Sequence, residues 1–114
     1  MTMTMTNRDK LLTYFQKFSN KDLEALAEMF AEDIRLTDWD IAESGKDDVV
    51  AANKRIFDSV ETIVVKPLSI YSDGDDSFAA EILILVNDKE FIEVVDVICF
   101  NEEGLIDSIK AYKR

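Results

Sequence analysis

Residues 61–112 are apolar and β-branched runs broken only by three short polar stretches, and this constrains the fold more than any other feature of the chain. Residues 62–71, 78–86, 91–100 and 105–112 read as strands. The stretches between them, at 73–76, 87–89 and 101–104, carry Asn, Asp and Gly and read as turns. Strands joined by such short turns form antiparallel hairpins. The alternation in 62–71 slips phase at Pro67, the only proline, which predicts a bulge or bend. The second half of 78–86 is apolar on both faces, as in a strand covered on both sides.

The first half of the chain has helical periodicity. In residues 7–18, Leu11, Leu12, Phe15 and Phe18 mark one face, with Tyr14 at its border. Asp22 is an N-cap candidate for a second helix that carries Leu23, Leu26, Ala27 and Phe30 and ends near Ala31. A short strand follows at 34–39, with Ile34, Leu36 and Asp38 on one side. After a loop at 40–45, a third helix has Asp47 and Asp48 in its first turn and a stripe of Val49, Ala52, Ile56 and Val60. Helices first and hairpins after predict an α+β fold, a cone-shaped curved antiparallel sheet wrapping three N-terminal helices and enclosing a cavity. Residues 1–6, an alternation of Met and Thr, are expected to be a flexible tail, and 7–114 a single domain.

Composition narrows the chemistry. A net charge of −11 argues against nucleic acid and anionic membranes as partners. No segment approaches the length of a membrane span. One cysteine, Cys99, fits a reducing cytoplasm, and its apolar run predicts a buried, inert thiol. Histidine is absent, which removes Ser-His-Asp and Cys-His catalysis and the common zinc sites. Proton transfer near neutral pH is left to carboxylates, tyrosine or lysine with shifted pKa values.

Asp96 is the informative carboxylate. Its same-face neighbours in the strand are Ile92, Val94, Ile98 and Phe100, so it must be paired, exposed or protonated. Desolvation favours the neutral acid, and a neutral acid donates a hydrogen bond. The alternative is an Asp that accepts from backbone or lysine and has no catalytic part. Asp38 closes the first strand, where Asp is also an ordinary turn residue. Asp38 and Asp40 around Trp39 lack a third metal ligand, so no metal is expected. Glu81 lies in an apolar strand, and the pattern does not fix its face.

The stretch YFQKFSNKDLEALAEMFAEDIRLTD and the closing VVDVICFNEEGLIDSIKAY, together with the order of elements, resemble the ketosteroid isomerase branch of the nuclear transport factor 2-like, or SnoaL-like, superfamily. The likeness runs from about Leu11 to Tyr112. It implies that Tyr14 is the helix tyrosine that donates to an oxyanion, Asp38 the general base, and Asp96 the protonated second donor. Asn53 stands where the isomerases carry a supporting tyrosine, Trp39 where they usually carry proline, and Lys113 where they carry an aromatic residue. The resemblance implies a cofactor-independent isomerase, or a polyketide-type cyclase, acting on a small apolar carbonyl compound. A non-catalytic module that binds an apolar ligand in the same pocket is a second reading, and an interaction or assembly domain whose exposed sheet face forms a dimer is a third. The pocket is expected to be lined by Phe30, Trp39, Leu83, Ile98, Phe100 and Ile109, with Asn53 beside them. A homodimer through the sheet is expected under every reading.

Overall fold

Thr6 starts the fold. Its hydroxyl accepts from the Asp9 N–H at 3.1 Å, and the Asp9 carboxylate accepts from the Thr6 N–H at 3.3 Å. This reciprocal cap launches α1, Asn7–Ser19. Thr6 therefore belongs to the helix and not to the expected tail. The computed structural model describes residues 5–114, so the rest of that tail, apart from Met5, lies outside the described residues.

α2 spans Leu23–Met29, capped by Asp22, whose Oδ1 accepts from the Ala25 N–H at 3.1 Å. It stops earlier than the periodicity suggests. Phe30 is already extended and pairs with Ile106, so β1 runs Phe30–Thr37. Two buried residues, Phe30 and Ala31, satisfy either period equally, and sheet pairing decides between them. The expected loop at 40–45 holds a further short strand, β2, Ala42–Ser44, folded back on β1. α3 covers Lys46–Asp58, and β3 to β6 cover Ile63–Asp73, Ser77–Val86, Glu90–Phe100 and Ile106–Lys113.

The six strands form one sheet in the order β2-β1-β6-β5-β4-β3. Every pair is antiparallel except β1 with β6, which is parallel. The sheet is therefore mixed and not wholly antiparallel as expected. β1 and β6 are joined through α3 and four strands, so no turn obliges them to run opposite ways. The register slips between Pro67 and Ser69, the bulge expected at the proline.

The sheet curls around the helices and buries its concave face. Leu11, Leu26, Phe30, Ile34, Ile98 and Ile106 are fully enclosed there, each worth about 1.5–3 kcal/mol of transfer free energy. Phe18 and Phe57 meet edge to face at 4.8 Å and join α1 to α3. Cys99 is half-buried and faces outward, its Sγ 3.5 Å from Ser77 Oγ, because strand alternation puts it opposite Ile98 and Phe100. It is not the core thiol that its apolar run suggests. Glu81 also faces outward and accepts from Tyr71 Oη at 3.1 Å. Among the described residues no helix is long and apolar enough to cross a membrane.

Ser19 ties the end of α1 to the sheet. Its hydroxyl donates to the Phe15 carbonyl at 3.0 Å and accepts from the Val65 N–H at 2.8 Å. Removing it leaves a mostly buried backbone donor unpaired. Ser19→Ala is expected to lower the unfolding free energy by about 1–3 kcal/mol, measured by urea denaturation. An unchanged midpoint would show that Val65 finds another partner.

Candidate functional site

α1, the turn after β1, and β5 each deliver one polar side chain to a single cavity. This cavity has a volume of about 320 Å³, and Tyr14, Asp38 and Asp96 all line it. Its other walls are mainly Ile and Val from β3, β4 and β5. Trp39, Asp40 and Glu90 are exposed and stand at its rim.

Tyr14 is 5% exposed, with its ring packed among Phe15, Phe18 and Phe30 at 5.5, 6.0 and 6.3 Å between centroids. Rings on three sides fix its direction. Its hydroxyl has no protein partner among the described residues and keeps surface open to the cavity. Burial first, then the nearby charge of Asp96, raises its pKa well above the ordinary phenol range, so it stays a donor.

Asp96 is 8% exposed in the middle of β5, paired across to Ala80 on β4 and Ala111 on β6. These small neighbours leave its carboxyl uncovered on the concave face. It too lacks a protein hydrogen-bond partner among the described residues. Burial is the main reason that its pKa is pushed up to about 7, and the charge of Asp38 adds to it. Near neutrality a large share of Asp96 is therefore uncharged.

Asp38 is held differently. Its N–H donates to the Ile41 carbonyl at 2.8 Å, while its Oδ1 accepts from the N–H groups of Asp40 at 2.7 Å and Ile41 at 2.6 Å. This Asx turn sends the chain into β2 and clamps one carboxylate oxygen. Oδ2 has no protein partner among the described residues. The two acids thus share a cavity in different environments, one pinned by backbone donors and half-exposed, the other dry.

Asn53 lines the same cavity from α3, 2% exposed, and its Nδ2 has no hydrogen-bond partner. An orphaned buried amide donor costs about 1–3 kcal/mol, so this position works against stability. Ile109 and Trp39 also line the cavity, as expected. Lys113 does not; its ammonium sits 5.6 Å over the Trp39 ring at the edge.

Four expected lining residues lie elsewhere. Phe30, Ile98 and Phe100 share the concave face but belong to the closed, packed end, where Phe100 meets Phe78 edge-on at 5.9 Å. Leu83 points to the opposite face, since it pairs with Glu93 and Lys66. Ile82 and Ile84 line the cavity in its place. The signal for them was present. The turn after Val86 pairs it with Glu90, and counting back from that pair sets Asp96 against Ala80 and aligns Ile82 and Ile84 with it. Ile56, Val60 and Ile41 also form walls, and nothing local in the sequence distinguished them from core.

A cone of three helices in a curved mixed sheet, open at one end onto an apolar cavity with a few polar groups, defines the nuclear transport factor 2-like class of fold. The chain belongs to the SnoaL-like domain family, whose model matches residues 11–109. Among solved structures it is similar to a nuclear transport factor 2-like protein of unknown function from Cytophaga hutchinsonii, with a TM-score of 0.84 at 13% identity over 100% of this chain and 95% of that one. It is also similar to a provisionally assigned ketosteroid isomerase from Kribbella flavida, with a TM-score of 0.79 at 18% identity over 97% and 82%. A computationally designed 17-OHP binder gives a TM-score of 0.83 at 15% identity over 95% and 94%. These identities speak for the fold alone. Among curated proteins, none matches the sequence.

The raised pKa of Asp96 has a consequence for stability. Between its ordinary value of 3.8 and about 7, the folded chain holds a proton that the unfolded chain releases. Stability is therefore lost as pH rises through that window, by up to about 4 kcal/mol at its upper end. Asp96→Asn keeps the shape and removes the titration. The variant is expected to match the parent near pH 4 and to exceed it by a few kcal/mol near pH 8, measured by urea unfolding at both values. A difference that does not grow with pH would show that Asp96 is solvated.

Proposed function

We propose that the chain is a cofactor-independent proton-transfer isomerase acting on a small apolar carbonyl compound. The observation that carries this reading is a pair of unpartnered, buried donors, Tyr14 Oη and the Asp96 carboxyl, open to a cavity that Asp38 also lines. A carbonyl oxygen placed between the two donors gains stabilisation as it becomes an oxyanion, which is where such groups matter most. Asp38 Oδ2, free of the turn that holds Oδ1, takes the proton from the adjacent carbon and returns it one allylic position further on. The negative charge moves from Asp38 to the ligand oxygen and back, so the cavity never gains net charge. Membership in the SnoaL-like family supports a small-molecule site of this kind.

A binding module without turnover is the second reading. It is favoured by Asp38 Oδ1, which already accepts two short backbone bonds and so ties the carboxylate to its own turn. Either way, we propose that a homodimer forms through the outer sheet face, where Leu68, Tyr71, Phe91 and Tyr112 are all more than half exposed.

The test is conversion of β,γ-unsaturated ketones, from cyclohex-3-enone to a 5-ene-3-ketosteroid, to their conjugated isomers. Asp38→Asn is expected to lower kcat by about 100-fold or more, and Tyr14→Phe by about 10- to 1000-fold. For the native chain kcat/KM should decline as pH rises through about 7, because Asp96 then loses the proton that it donates. Turnover no greater than that of Asp38→Asn across the series would leave the binding reading. Sedimentation should give a dimer that Phe91→Asp dissociates, and a monomer at high concentration would remove the dimer.

A further inference from the structure

The polar groups of the cavity are unbalanced in sign. Asp38, Asp40, Glu90 and Asp96 line it, and no lysine or arginine does. None of the four carboxylates takes part in an ion pair among the described residues. The chain has no histidine to supply a cation either. Lys113 is engaged over Trp39 outside this lining, in an adjoining hollow that Asp38 also borders.

The groups around Asp96 come from every side. α1 presents Tyr14, the turn after β1 presents Asp38, α3 presents Asn53, and β4 and β6 place Ala80 and Ala111 beside it. Asp40 and Glu90 are at the rim. Two neighbouring carboxyls on an apolar wall cannot both be charged cheaply without a counter-ion. The protein's own remedy is a proton on Asp96. A ligand that brings its own positive charge provides another.

We propose that the cavity also takes an apolar amine as its ammonium ion, with the cation seated between Asp96 and Asp38 and the hydrocarbon body against the Ile and Val walls. The ammonium supplies three donors. Asp96, Asp38 Oδ2, the Tyr14 oxygen and the Asn53 carbonyl are the acceptors that line the space. Tyr14, 5% exposed and with a hydroxyl oxygen that has no protein partner among the described residues, is the independent sign that this wall lacks a ligand group. Below about pH 7 the incoming ammonium displaces the proton of Asp96, which leaves to solvent. Apolar anions are excluded by the same charges. The proposal rests on the reading of this cavity as the ligand site, but not on turnover.

The discriminating probes are adamantylamine, adamantanol and adamantane carboxylate, rigid bodies alike except for the head group. Binding is read from the fluorescence of Trp39, the sole tryptophan, and by calorimetry. From roughly pH 5.5 to roughly pH 8.5 the amine should bind about thirtyfold tighter, and the alcohol no tighter. The carboxylate should not bind at the higher pH. Near pH 6, amine binding should release about one proton, measured in buffers of different ionisation enthalpy. Asp96→Asn should abolish the amine's gain with pH. Should that variant fail to fold, the pH series and proton count of the native chain decide. An amine no better than the alcohol at the higher pH, a gain that survives Asp96→Asn, or no binding by any probe would each overturn the proposal. A chain that isomerises enones but rejects the amine refutes only this inference. Amine binding without turnover refutes only the isomerase.

Discussion

The site exists because β5 is held in register between β4 and β6. Side chains on a strand alternate, so a slip of one residue would turn Asp96 out to water and bring Val95 and Val97 inward. The register is secured from both sides by continuous antiparallel pairing, with Asp96 opposite Ala80 and Ala111. Those alanines matter as much as the acid. Larger side chains in their places would cover the carboxyl and fill the space that it faces. The helices then complete the enclosure, and Ser19 and the edge-to-face pair of Phe18 and Phe57 hold them over the sheet.

Around that carboxyl the structure sets two acids in unlike environments. Asp38 is clamped by backbone donors in a turn, whereas Asp96 has no donor from the protein and little water. Burial is the larger influence on Asp96 and the charge of Asp38 the smaller, and both favour the proton. An acid kept protonated by burial beside a second acid held by backbone donors suits the division of labour between a donor and a base. The same imbalance gives the cavity a preference by charge. It suits a neutral ligand whose reaction only moves charge about, or a cation, and it disfavours an anion.

Asn53 and the two unpartnered donors mark where stability has been given up. A core built only for packing would have apolar groups there, as it does at the closed end of the cone, where Phe30, Ile98 and Phe100 sit. The contrast between the two ends is physical. At the narrow end sheet and helices touch and side chains interlock. At the wide end they diverge, and the walls are lined but not filled.

Much of this was legible in the sequence. Alternation and short turns gave the hairpins, helical spacing gave α1 and α3, and the bulge at Pro67 showed as a slip of phase. Asp96 stood out because it is a charge on an apolar strand face, and Tyr14 and Asp38 followed from a family likeness, not from any local pattern. These features are encoded by neighbours in the chain, so a linear reading reaches them. The parallel pairing of β1 with β6, the early start of β1 at Phe30 and the small strand β2 depend on distant partners and had no local signature. The same is true of the cavity's extent. Leu83 and Ile82 are alike in composition, and Ile98 and Ile109 are alike in burial. Only the closing of the sheet around the helices decided which apolar residues line a space and which fill one, because that depends on the distance between walls that the chain joins far apart.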